Sequence, residues 1–172
     1  MKIWLKLSAC ALLAVAYFVL LALYPFSPVT FLPGIFVCAG FASLIHELGH
    51  RLAYALLGLK WKRTTFSVFV LDADSGLRVD KDRPFFSASC VCAYDPEIAT
   101  WRYDLALLSG GILCAILGAV AILLAFAASG SGAAFLQCFG VVSLGNALLN
   151  LLPFSADRIL MREIRKEREK QS

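Results

Sequence analysis

Four long apolar runs dominate the chain, at 7–24, 34–59, 105–128 and 133–152, separated by two short uncharged connections and one longer polar stretch. Each approaches or exceeds the roughly 20 residues that an α-helix needs to cross a bilayer, so the pattern predicts four transmembrane helices. Between 64 and 94 it changes to a polar, aromatic and β-branched mixture, with turn chemistry in Asp72-Ala73-Asp74-Ser75-Gly76. A hairpin of strands 64–71 and 77–80 is expected there, with a third strand at 85–94. The fold class predicted is therefore an α-helical membrane protein of about four transmembrane helices, with a small β-sheet inserted between the second and third. The tail, 157–172, alternates Arg and Lys with Glu and predicts a surface-bound helix, and residues 1–172 leave no second segment long enough for a core of its own.

Composition sharpens this picture. Hydrophobic residues make up 60% of the 172 and the mean hydropathy is +0.77, which places the chain among integral membrane proteins and makes the lipid bilayer its first partner. The first run follows Lys2 and Lys6 and could be a signal peptide, but it exceeds the usual apolar length and no Ala-x-Ala site follows, so a retained helix is expected. Outside the runs, Lys and Arg fall in the N-terminus, the 60–104 stretch and the tail, and neither short connection carries one. The positive-inside rule then predicts a multi-pass protein of a bacterial-type cell membrane, with both termini and the sheet cytoplasmic. A net charge of +4 gives no reason to expect nucleic acid. Of six cysteines, Cys10, Cys38, Cys114 and Cys138 lie singly in apolar runs as small hydrophobes, and Cys90-Val91-Cys92 reads as two thiols on one face of a strand rather than a metal site. Asp72, Asp74 and Gly76 lack the twelve-residue loop of a calcium site and read as a turn. The small residues Cys114, Ala115, Gly118 and Ala119, at helical spacing, predict a packing face.

One stretch does not fit an apolar helix. His46-Glu47-Leu48-Gly49-His50 places three ionisable groups inside the second run, where each costs roughly 2.5–3.5 kcal/mol on insertion scales and marks a functional site. Two histidines four apart lie about 40° apart on a helix, the spacing that lets two imidazoles hold one zinc ion. Glu47 beside them is placed as a general base, taking a proton from a water that the ion activates for attack on an amide. Arg51, directly after the motif, is expected to snorkel toward the basic end of the helix or to pair with a carboxylate. A catalytic zinc wants a third protein ligand, which must come from elsewhere in the chain.

The fourth run ends Asn150-Leu151-Leu152-Pro153-Phe154-Ser155-Ala156-Asp157. With His46-Glu47-Leu48-Gly49-His50 matching a His-Glu-x-Gly-His motif, and Asn150-Leu151-Leu152-Pro153 matching the first half of Asn-x-x-Pro...Asp-Gly, the chain resembles the site-2 protease family of intramembrane zinc metalloproteases. The order of runs, the β-rich insert and Ser109-Gly110-Gly111 at the entry to the third run also look like that family's core, in a minimal form without an extra peptide-binding domain. The resemblance implies one Zn2+ per chain, held by His46, His50 and Asp157, with Glu47 catalytic and Asn150 near the substrate strand or orienting the site. Where the family has glycine after the aspartate this chain has Arg158, and Asp104 is the second choice for third ligand. Asn146 shares a helix face with Asn150; the pair is a candidate for substrate contact or for hydrogen bonding between helices.

The expected function is hydrolysis of a peptide bond in a transmembrane or membrane-associated peptide near the cytoplasmic side, the sheet accepting the substrate as an added strand beside Val68 or Val70. The alternative is a zinc-binding but non-proteolytic membrane chaperone or regulator. A metal transporter would want ionisable residues along several spans, which the sequence lacks.

Overall fold

A computed structural model of the chain describes residues 3–80, 82–83 and 87–169. The elements run α1 (Ile3–Leu23), α2 (Pro28–Leu56), β1 (Trp61–Phe66), β2 (Phe69–Asp72), β3 (Gly76–Val79), β4 (Ala88–Cys92), α3 (Thr100–Ala127), α4 (Gly130–Leu151) and α5 (Ala156–Glu169). Among the described residues, three helical segments, beginning at Pro28, Thr100 and Gly130, are long and apolar enough to cross a membrane, and α1 adds the shorter apolar stretch Leu7–Leu23. Their exposed side chains include Leu12, Val15, Phe126 and Leu148, an apolar exterior consistent with a membrane protein. Lys2, Phe85 and Lys170 lie outside the described residues.

Two compact units share these helices. The first comprises 1–43 and 115–146. Here α2 begins earlier than the apolar pattern predicts. Ser27 accepts the Val29 N–H through Oγ at 3.2 Å and Pro28 occupies the first helical position, a start signal that outweighs Pro33, which costs the helix one hydrogen bond. Tyr17 and Leu21 of α1 pack with Ala134 of α4 and half-buried Val37 and Phe135. The helices α3 and α4 approach at Gly118 and Gly140, where a Cβ on Gly118 would stand 3.0 Å from the Gly140 carbonyl. The packing face predicted in the third run is therefore present in this unit, but it follows Gly118, Ala121 and Ala125, while Ala119 is exposed.

The second unit comprises 44–114 and 147–172. In it α2 ends three residues before the predicted 59. Gly58, at φ 69°, turns the chain so that the Leu59 N–H returns to the Tyr54 carbonyl at 2.8 Å, and Arg102 donates to the Leu57 carbonyl at 3.2 Å. The strands form one antiparallel sheet in the order β3-β2-β1-β4. The predicted single strand 64–71 is instead two, because Ser67, at φ 55°, makes a two-residue loop that pairs Phe66 with Phe69. The turn at Asp72–Gly76 forms as expected. Asp72 accepts from Ser75 at 3.2 Å and from Arg78 at 2.8 Å, and the Arg78 guanidinium holds its carboxyl below the usual range.

One face of the sheet packs under the end of α2. Ala53, Tyr54, Leu59, Cys90, Tyr103 and Ala106 are its buried core, flanked by Trp61, Cys92 and Ile164. Cys90 and Cys92 thus share a face, and burial pushes the Cys90 thiol up to about 11. Arg51 stacks over the Trp61 indole of β1 at 4.2 Å instead of pairing with a carboxylate, a cation–π contact that keeps its charge toward the sheet.

Candidate metal centre

Because α2 runs from Pro28 to Leu56, His46 lies roughly 27 Å from its start and roughly 15 Å from its end at 1.5 Å per residue. The motif is therefore nearer the sheet than the run 34–59 implies. His46, Glu47 and His50 are all buried. Their rings meet edge to face with centroids 4.5 Å apart, and the two Nε2 atoms converge to 2.9 Å.

Asp157 reaches this pair from the other end of the second unit. Helix α4 stops at Leu151, one residue before Leu152-Pro153, and the chain turns through Ser155. Ser155 serves both helices: its hydroxyl donates to the Asn150 carbonyl at 2.9 Å and accepts the Arg158 N–H at 3.4 Å, capping α5. Asp157 then stands in the first turn of α5, where the helix dipole favours a carboxylate. Its Oδ2 lies 3.1 Å from His46 Nε2 and 3.5 Å from His50 Nε2. Asp104 joins a different pair, accepting from Arg165 Nη2 at 2.6 Å. Arg158, where the family pattern has glycine, turns aside toward Met161 Sδ at 3.9 Å.

Backbone and small residues fix the rings. The Ala106 carbonyl accepts from His50 Nδ1 at 2.8 Å, which leaves the Nε2 lone pair facing the cluster as a metal ligand requires. Asn150 places its amide 3.4 Å from His46 Nδ1. With Nδ2 facing, the amide donates and His46 carries its proton on Nε2, toward Asp157; turned over, it presents Oδ1, accepts from Nδ1 and frees Nε2 for a metal. Gly49 and Gly110 let α2 and α3 touch: a Cβ on Gly49 would stand 2.9 Å from the Ser109 carbonyl, and one on Gly110 2.7 Å from the His46 ring. Ser109 locks the contact by donating to the Gly49 carbonyl at 3.0 Å. Tyr54, one turn after His50, stacks on its ring at 6.3 Å and donates to the Cys90 carbonyl at 3.2 Å.

The donor set fits zinc. Two imidazole nitrogens and one carboxylate oxygen lie within 4.8 Å of one another, and three such ligands leave a fourth position open. Glu47 stays outside that set. Its buried Oε2 has no hydrogen-bond partner among the described residues, an orphaned acceptor beside the cluster.

Of the residues singled out in the sequence, the structure brings together His46, His50, Asp157 and Asn150. It leaves Asn146 half-buried one turn earlier on α4 and gives Asp104 to Arg165. The Ala106 carbonyl left no side-chain signal in the sequence. Tyr54 did, as an aromatic residue four positions after His50, and Ser109-Gly110 did through its small size. Comparison of the chain with protein-family models, with curated proteins and with solved structures yields no match.

Proposed function

We propose that the chain is an intramembrane zinc metalloprotease, cleaving a transmembrane or membrane-associated peptide near the cytoplasmic side. One observation carries this reading: His46 and His50 converge with Asp157, more than 100 residues later in sequence, and a buried Glu47 carboxylate oxygen without a partner among the described residues stands beside them. When bound, zinc would supply a Lewis acid that polarises an amide carbonyl and acidifies water. Glu47 then takes the proton of the attacking water and passes it to the leaving amine; no ligand role competes for it. The Ala106 carbonyl and Asn150 hold the rings so that both Nε2 atoms face one point. The substrate must arrive unwound, and the outer edge of β3, or that of β4 beside Ala88 where Tyr54 does not yet hold it, offers a ladder for it.

Glu47→Gln is the test. Against a co-expressed single-span peptide the substitution abolishes cleavage while zinc remains bound in a one-to-one ratio. A variant that keeps full biological activity with zinc in place would instead favour a non-proteolytic zinc-binding chaperone or regulator.

A further inference from the structure

The α4–α5 corner carries a second set of polar groups that the metal centre does not use. Arg158, Arg162 and Arg165 occupy positions i, i+4 and i+7 of α5 and so share one face. With Leu151, Pro153 and Met161 they line a cleft of about 310 Å³. Two of the guanidinium groups are already held in place, Arg162 by the Pro153 carbonyl and Arg165 by Asp104. The third is held only by a thioether: Arg158 Nη1 reaches Met161 Sδ at 3.9 Å, and its enclosed Nε makes no hydrogen bond among the described residues. A buried guanidinium N–H without an acceptor is costly, and the residues lining the cleft carry three guanidinium groups and no carboxylate, so the cleft itself is positive.

We propose that this cleft binds the phosphate of an anionic phospholipid headgroup. Arginine, with its planar fork of donors, suits a phosphodiester better than a point charge does. The position favours a lipid over a soluble phosphate, because Leu151 and Pro153 form one wall and Phe154, 70% exposed, stands at the same corner. Away from the arginine face α5 exposes Ile159 and Leu160, while Ile164 packs on the core of the unit, so the helix presents both apolar and basic side chains at its surface, as one lying in the headgroup layer does. Bound there, a headgroup pairs with the guanidinium groups that line the cleft and fixes the depth of α5, and with it the residue next to Arg158 in sequence, Asp157. The proposal rests on the membrane reading alone and not on catalysis.

The test compares the purified full chain in nanodiscs of dioleoylphosphatidylcholine with and without dioleoylphosphatidylglycerol, counting retained phosphatidylglycerol by native mass spectrometry, with no zinc added and no substrate. The unmodified chain retains phosphatidylglycerol; Arg158→Gln weakens retention about tenfold, the loss of one charge-assisted hydrogen-bonding group, and Lys166→Gln, an equal charge change on an exposed residue, leaves it unaltered. Arg158→Lys keeps the charge without the fork and guards against misfolding: it too lowers retention while the unfolding temperature holds. Equal losses in Arg158→Gln and Lys166→Gln, or none in Arg158→Lys, would overturn the proposal, since diffuse charge then suffices. Competition by glycerol phosphate as effective as that by the lipid would overturn the lipid assignment in favour of a free phosphate. Because neither zinc nor cleavage enters the readout, a failed peptidase assay leaves this result standing.

Discussion

Gly110 and Gly111 are neighbours in sequence with different surroundings, and that difference makes a sharp test of how the centre is built. A Cβ at Gly110 would stand 2.7 Å from His46 Cε1 and Nδ1 and 2.8 Å from the His46 carbonyl, whereas one at Gly111 meets nothing closer than 3.7 Å. Backbone on one side and a ligand ring on the other leave little room to yield. Gly110→Ala is therefore expected to destabilise by roughly 1–3 kcal/mol and to lower zinc occupancy, while Gly111→Ala changes both little; denaturant unfolding in detergent and metal analysis read the two effects. Equal behaviour of the two variants would mean that α2 and α3 do not touch at His46. The choice of third ligand is decided in the same way. Asp157→Ala should strip zinc nearly as thoroughly as His46→Ala, and Asp104→Ala should leave the zinc content unchanged, because the Asp104 carboxylate is committed to Arg165. Zinc lost from Asp104→Ala and kept by Asp157→Ala would reverse the assignment.

At the scale of elements the sheet has two outer edges, that of β4 already taken at the Cys90 carbonyl by the Tyr54 hydroxyl, and its register says which amides face outward. Ser67 N–H bonds to the Ser87 carbonyl, so along β1 and β4 the pairs Thr65–Ser89 and Arg63–Val91 face each other and Ala88 turns its amide to the outer edge. By the same alternation from Asp80 N–H to the Val68 carbonyl, Leu77 turns its amide outward on β3. Val70 lies on interior β2 and Val68 in the β1–β2 loop, so neither of the positions expected from the sequence borders a free edge. Proline at Ala88 or at Leu77 removes an outward donor without breaking the existing ladder. If substrate adds as a strand, one of these variants loses cleavage while keeping its fold by circular dichroism, and which one identifies the edge; unchanged turnover in both removes strand addition from the mechanism. The sheet also marks where the sequence stopped being legible. The Asp72–Gly76 turn was readable from its residue types, but the turn at Ser67 is flanked by β-branched and aromatic residues and carries no Gly, Asn or Asp, so one strand was expected in place of two. Helix α2 repeats the lesson. Pro33 reads as a boundary locally, yet Ser27-Pro28 supplies the cap, and the helix accepts one missing hydrogen bond in its second turn. The candidate ligands His46 and His50 were legible because they are local, at helical spacing; Asp157 was reached only through the family resemblance, since nothing in spacing connects it with a motif 107 residues earlier, and the turn at Ser155 makes the connection.

For the whole molecule the distribution of charge gives the most exposed expectation. Arg63 and Arg78 lie on the sheet and Arg158, Arg162 and Arg165 on α5, whereas the α1–α2 and α3–α4 connections carry neither Lys nor Arg. On the positive-inside rule these basic segments are expected in the cytoplasm, and the candidate metal centre toward the sheet end of α2 is then expected to open to that side. The rule needs an even number of crossings, and α1, whose apolar stretch is the shortest, must be one of them. Single cysteines introduced into a functional chain free of its six native ones check each segment. Asp74→Cys in the β2–β3 turn should react with a membrane-impermeant maleimide only after the cells are opened, and Ser27→Cys and Ser129→Cys should react in intact cells. Labelling of Asp74→Cys in intact cells would invert the orientation, and protection of Ser27→Cys with Ser129→Cys still labelled would mean that α1 does not cross. The second result bears on chemistry as well as topology: α1 supplies Tyr17 and Leu21 to the core of the first unit, so an α1 lying outside the bilayer would need a polar surface where the chain presents Leu12, Val15 and Phe18.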